Sequence, residues 1–454
     1  MTTTTPQEIV EAVLARSNST AAVVAVQEES GVNYRWAVST PTTNGDTRAR
    51  HITITALAAD GTGWRAGTRS GPVADWPALL AGAEADAESG QPAGEGSELP
   101  EPVVRADFDS VPAAPAAAGL PTGLDRAFGQ QGTEVFGFAE QSVTTSYVGA
   151  SNGSRWRAVE RSGRFEISAK NAGRTRSAWY GAAGEEVTEI DAAAGLSLID
   201  QGLTAQAGRI DLQAQPTKVI LTPSAVADLM IVLWWSAIAR DAAEGHSPFS
   251  GTGPSGTAIG RVLTDRDVTL TSDAHWPDLG CPDLLWTPGS SAAATVFDTG
   301  MTLRPVDWID NGRLSALAAT RAAAREFGLP AVASPDNLIL TDAAGEGSLA
   351  DVVTRTERAL LITSLWYIRE VDLQSLLVTG LTRDGTYLVE DGEIVGATGN
   401  FRFNDSPIDL LSRIVDAGES VRCLPREWAD YFTRTIMPPL VVDAFGLSTE
   451  SAAV

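Results

Sequence analysis

The stretch that decides the fold is TKVILTPSAVADLMIVLWWSAIARD, Thr217–Asp241. It opens with a short β run, TKVIL. Thr222 then offers a hydroxyl to cap a helix, and Pro223 suits its first turn. The helix is predicted to run to about Asp241 and to end by Gly245. Its residues are apolar nearly all round, which requires packing partners on several sides and puts Trp235 in the core. The apolar part, starting at Asp228 and closed by Arg240 and Asp241, is too short to cross a bilayer. A buried central helix in a larger, water-soluble unit is therefore expected.

Outward from that helix the pattern is mixed. Toward the N-terminus, residues 6–17 read as a helix with Ile9, Val10, Val13 and Leu14 at helical spacing. Three β runs follow at 20–26, 34–40 and 51–59, separated by EESGVN and PTTNGDTRA, which read as turns. A fourth run, GWRAGTRSG, precedes a helix over 76–89. Residues 90–124 are rich in Pro, Ala, Gly and acid, and read as a linker or surface loop. Strands resume at VFGFAEQSVTTSYVG, SRWRAVERSGRFEISAK and TRSAWYG, then a helix over 186–206. Beyond the central helix, strands are expected at 264–273, 294–298, in LRPVDWIDNGRLSAL, at 337–341 and from 358 to 404, with helices at 315–327 and 348–356. Asp310-Asn311-Gly312 and Asp391-Gly392 are hairpin-turn signals. The fold class is α+β: an N-terminal helix–antiparallel meander–helix domain (1–89), the 90–124 segment, and a larger mixed, β-rich C-terminal domain (125–454) around the buried helix.

Composition narrows the function. The 454 residues carry a formal charge of −24, which repels nucleic acid and anionic lipid, so neither is expected as a partner. Two cysteines, Cys281 and Cys423, cannot form a disulfide scaffold and fit a reducing compartment. The N-terminus shows no basic region before an apolar core, so a cytoplasmic location is expected.

Isolated motifs carry little. GASNG, 149–153, matches G-x-S-x-G, but β alternation on both sides makes it a hairpin turn and Ser151 a weak nucleophile candidate. GTGPSG, 251–256, follows a helix and contains Pro254, so a loop is the better reading than a dinucleotide site. His51, His246 and His275 do not fall at helical metal-pair spacing. His275 with Cys281 is a thin metal candidate. WYIREVD offers Trp366, Tyr367 and Arg369, residue types common on binding surfaces, although aromatics on a strand equally often pack inward.

Many weak pieces in a fixed order carry a resemblance. TKVILTPSAVADLM, SPFSGTGPSGTAIGRVLTDRDVTLTSD, FDTGMTLRPVDWIDNGRLSAL, SPDNLIL, LLITSLWYIREVDLQSLLVTGLTRDGTYLVEDGEIVG, FRFNDSP and MPPLVVDAFGLS together resemble the TldD/PmbA family, over most of the chain except 90–124. In that family the TldD branch is a zinc peptidase with His-Glu-x-x-x-His on a buried helix and a cysteine ligand near the C-terminus. The TldE (PmbA) branch lacks the motif. Counted from Pro223, the two histidine positions fall near Ile231 and Ser236, and Val232 stands where the catalytic Glu belongs. Cys423 lies in the region of the cysteine ligand. The resemblance implies a non-catalytic subunit with no cofactor of its own. Its partner would be a TldD-like zinc peptidase. This chain would close the peptide-binding chamber and help bind extended or unfolded peptides. From residue type alone, Tyr367, Arg369 and Thr379 are the substrate-binding candidates, on a strand edge open to peptide addition. The alternative is a non-enzymatic, self-associating peptide-binding or scaffold protein.

Overall fold

The computed structural model describes residues 4–117, 119–121, 123–129 and 132–451. It is a mixed α+β structure with three sheets. The first helix, Pro6–Arg16, is fixed by a reciprocal cap in which Thr5 accepts from the Glu8 N–H and Glu8 reaches back to the Thr5 N–H. Its Ile9, Val10 and Val13 bury against the first sheet together with Leu80 and Ala83 of the helix Trp76–Ser89.

That sheet is antiparallel, in the order 64–72, 40–59, 21–37, 133–150, 155–171, 177–184. It takes strands from both sides of the 90–124 segment, so the boundary expected there falls within one sheet. EESGVN is not a turn. It lies inside the continuous strand Ala21–Ala37, where Gly31 pairs with Thr47 on one side and Ser142 on the other. The reversal comes later, at Val38 and Ser39, both with positive φ.

The buried helix, Pro223–Trp235, packs between the two C-terminal sheets. One sheet runs 313–314, 306–310, 268–272, 338–342, 435–437, 421–423. The other runs 414–417, 440–445, 217–221, 358–372, 377–390, 400–405, 447–451. Ser224 to Leu233 are all buried. The helix stops six residues short of Asp241. Ser236 caps it, and Ala237 to Ala239 exchange backbone hydrogen bonds with Ala318 before a short second helix, Ala239–Ala243. Trp235 therefore lies at an exit rather than in the core, and is 41% exposed. Two further expectations change. Residues 294–298 hold a single 3₁₀ turn, Val296–Asp298, and the helix expected over 315–327 covers only Arg321–Phe327, after the cap at Thr320. No helix among the described residues is long and apolar enough to cross a membrane.

Candidate functional site

The helix positions that correspond to the family's zinc-site residues do not fit a zinc ion. Ile231 and Val232 are buried in the core and offer no donor atom. Ser236 donates its hydroxyl to the Val232 carbonyl at 2.9 Å. Cys423 packs against the first turn of the helix, its Sγ 3.5 Å from the Pro223 carbonyl oxygen. At 1.5 Å per residue, Pro223 lies about 12 Å along the axis from Ile231. Burial pushes the Cys423 thiol up to about 12, so it stays protonated. Among the described residues no group of three or more His, Cys, Asp or Glu is placed to hold a metal. His275 is exposed, with Nε2 3.9 Å from Asp283. Ser151 sits in the hairpin turn, where its Oγ accepts from the Ala22 N–H.

What the helix does carry is Asp228. It is fully buried, one Oδ accepting from the Glu427 N–H at 2.9 Å. The other Oδ has no hydrogen-bond partner among the described residues. Burial raises its carboxyl well above the ordinary range, opposed by the hydrogen bond from the Glu427 N–H and by Arg426, and reinforced by the Glu427 charge. The Asp228 backbone carbonyl accepts from the Trp428 indole N–H, and Trp428 meets Trp235 edge-on at 5.1 Å.

Three consecutive residues thus grip three elements. Trp428 holds the helix. Arg426 lies between the Trp179 and Trp366 rings, 5.2 Å from each, where it pairs with Asp384 and donates to the Ser364 hydroxyl at 2.7 Å. It therefore ties the edge strand of the first sheet to the third sheet. Glu427, between them, reaches the strand Arg358–Asp372. Its carboxylate accepts from the N–H groups of Tyr367 (2.7 Å) and Ile368 (3.1 Å) and pairs with Arg369 at 2.9 Å.

This gathers the three substrate-binding candidates. The strand bulges between Trp366 and Arg369, and Tyr367 takes a left-handed φ of 58°. Such a conformation is unusual for an aromatic residue, and the Glu427 contacts hold it. Tyr367 is 56% exposed, and the Arg369 guanidinium stacks over its ring at 4.3 Å. Thr379 is the cross-strand partner of Arg369, and its hydroxyl donates to the Phe403 carbonyl. Asp228, Arg426 and Glu427 were missed from the sequence. Asp228 alone left a signal, as a charged residue on a helix apolar all round.

With this architecture in hand, comparison supplies the class. The family model for the PmbA/TldA metallopeptidase C-terminal domain matches residues 214–449, which spans the buried helix and both C-terminal sheets. TldE from Thermococcus kodakarensis shares the fold at a TM-score of 0.76, with 14% identity over 97% of this chain and 99% of that one. A Thermotoga maritima protein described as a candidate modulator of a DNA gyrase shares it at 0.74, with 16% identity over 97% and 100% of the two chains. A Bacteroides thetaiotaomicron protein described in similar words shares it at 0.71, with 13% identity over 98% of each. None of the curated proteins matches in sequence. The chain belongs to the TldD/PmbA family.

Proposed function

We propose that this chain is a TldE-like, non-catalytic subunit that works with a separate, TldD-like zinc peptidase. The partner supplies the metal and the general base. This chain closes the chamber and helps hold extended peptides for cleavage. The observation that carries the reading is the chemistry at the metal-helix positions: Ile231 and Val232 are core residues, and the Ser236 hydroxyl is turned back to its own helix. A site with no imidazole and no ionisable acid at those places cannot activate water on zinc.

The peptide surface is assigned to the block from Trp366 to Tyr387, with Tyr367, Arg369 and Thr379 at its rim. Support comes from exposure: Arg369 to Asp372 are all exposed beyond the last residues that pair with Thr217–Leu221. Main-chain hydrogen bonds along such an edge bind peptides with little regard to side chains, as a general peptidase needs.

The test is co-purification with any HExxxH-bearing chain encoded beside it, followed by peptide digestion by each chain alone and by the pair. The expected result is cleavage by the pair only, with zinc bound to the partner. Stoichiometric zinc and peptide cleavage in this chain alone would overturn the proposal. A self-associating chain that binds peptide with no partner would favour the scaffold alternative.

A further inference from the structure

We infer that the N–H groups of Tyr367 and Ile368 together with the Arg369 guanidinium form a receptor for the C-terminal carboxylate of a peptide, and that Glu427 fills this receptor as an internal stand-in. The inference rests on the assignment of the Trp366–Tyr387 block as peptide surface and adds what that surface reads.

Two successive backbone N–H groups that converge on one carboxylate make an anion-binding concavity, and a guanidinium on the same carboxylate completes a charge-assisted site. All three donors lie within 2.7–3.1 Å of the Glu427 oxygens. The convergence exists because Tyr367 is held at φ 58°, a conformation that an ordinary strand residue avoids. Arg369 and Tyr367 form a wall that is more than half exposed, while the Glu427 side chain that fills the receptor is only 7% exposed beneath it. Arg402, within 3.5 Å of the Thr379 hydroxyl, adds a second cation near the mouth. Glu427 itself arrives from the protein side. Its backbone stays pinned by Asp228, with Arg426 and Trp428 fixed on either side. With the backbone held in this way, only the side chain has to turn aside for the receptor to empty. An incoming terminal carboxylate then replaces it one for one, and the charge on the receptor is unchanged.

The test measures binding of a fluorescent hexapeptide as the free acid, as the C-terminal amide, and as an amide with an internal Glu. The proteins are the wild type, Glu427→Ala, Glu427→Gln and Glu427→Ala with Arg369→Ala. The free acid is expected to bind Glu427→Ala at least tenfold more tightly than the wild type, with no comparable gain for either amide. Adding Arg369→Ala should remove the gain. Propionate should raise the melting temperature of Glu427→Ala, and not that of the wild type, when compared with chloride. Glu427→Gln keeps a carbonyl oxygen for one N–H, so it reads the same comparison where the alanine variant does not fold. An equal gain for the plain amide would mean that Glu427 only blocks a strand edge, and would overturn the inference. So would a gain for the internal Glu, or none for the free acid. Amide binding to the wild type without a free-acid gain leaves the peptide surface standing and removes the receptor. Failure of every peptide on every variant removes both.

Discussion

Asp228 places a carboxyl group in the middle of a helix that is otherwise core, and its pH behaviour follows from that placement. Its native pKa is raised above the unfolded one, mainly by burial. The folded chain therefore holds the proton more tightly. Stability falls as pH rises past about 3.9, the unfolded value, and levels off only above the native value. Facing groups act in both directions: the Glu427 N–H and Arg426 lower the native value, and the Glu427 charge raises it. Asp228→Asn keeps an acceptor for the Glu427 N–H and never ionises. It should melt at a higher temperature than the wild type at pH 8, with the gap shrinking toward pH 4. An equal gap at both values would show that Asp228 is not a buried, raised carboxyl. The same helix separates two kinds of large side chain. Ile231→Ala empties a fully buried position and should cost about 2–5 kcal/mol. Trp235→Ala removes a ring that is 41% exposed and should cost about 1–2 kcal/mol. Denaturant melts of the two variants compare these directly.

At the scale of elements, two hairpin turns of the C-terminal part were legible in the sequence. Asn311 and Gly312 have φ of 47° and 73°, as their hairpin requires, and Asp391-Gly392 joins Leu377–Glu390 to Glu393–Ala397. A Cβ on Gly312 would lie 2.3 Å from the Thr264 carbonyl oxygen, in addition to the strained φ. Gly312→Ala should therefore lose about 1–3 kcal/mol in a denaturant melt. What could not be read were breaks imposed from a distance. Nothing in SAIARD marks a helix end. The break at Ser236 comes from Ala318, some eighty residues away, which takes the backbone hydrogen bonds of Ala237 and Ala239. Gly31 marked a false turn for the converse reason, because two neighbouring strands hold it extended. The site follows the same rule. Tyr367 and Arg369 were visible by residue type. Glu427, which shapes them, belongs to no motif and reaches them only through the tertiary fold.

Across the whole molecule, residues 95–108, within the 90–124 segment, form a strap. Arg240 pairs with Glu95, Glu244 and Glu326. Arg321 pairs with Asp298 and donates to the Ser97 hydroxyl and the Glu98 carbonyl. Phe108 buries against the first sheet, and Val104 bridges to Arg155. The composition suggested a loose segment because these anchors sit on partners far away in the chain. Arg321→Ala should make the strap susceptible to a glutamate-specific protease at Glu95, Glu98 and Glu101, as judged by limited proteolysis. Unchanged resistance would mean that the Arg240 cluster and the Phe108 contact suffice.

The strand Ala21–Ala37 has one neighbour encoded before the strap, Thr40–Ala59, and one encoded after it, Thr133–Ala150. A gene divided within the strap would therefore produce two polypeptides that each carry an orphaned β edge, the feature that drives aggregation when produced singly. Made in the same cell, the pair would zip along fourteen residue pairs, Val23 with Ala150 through Trp36 with Gly137, and reconstitute the molecule without a covalent link.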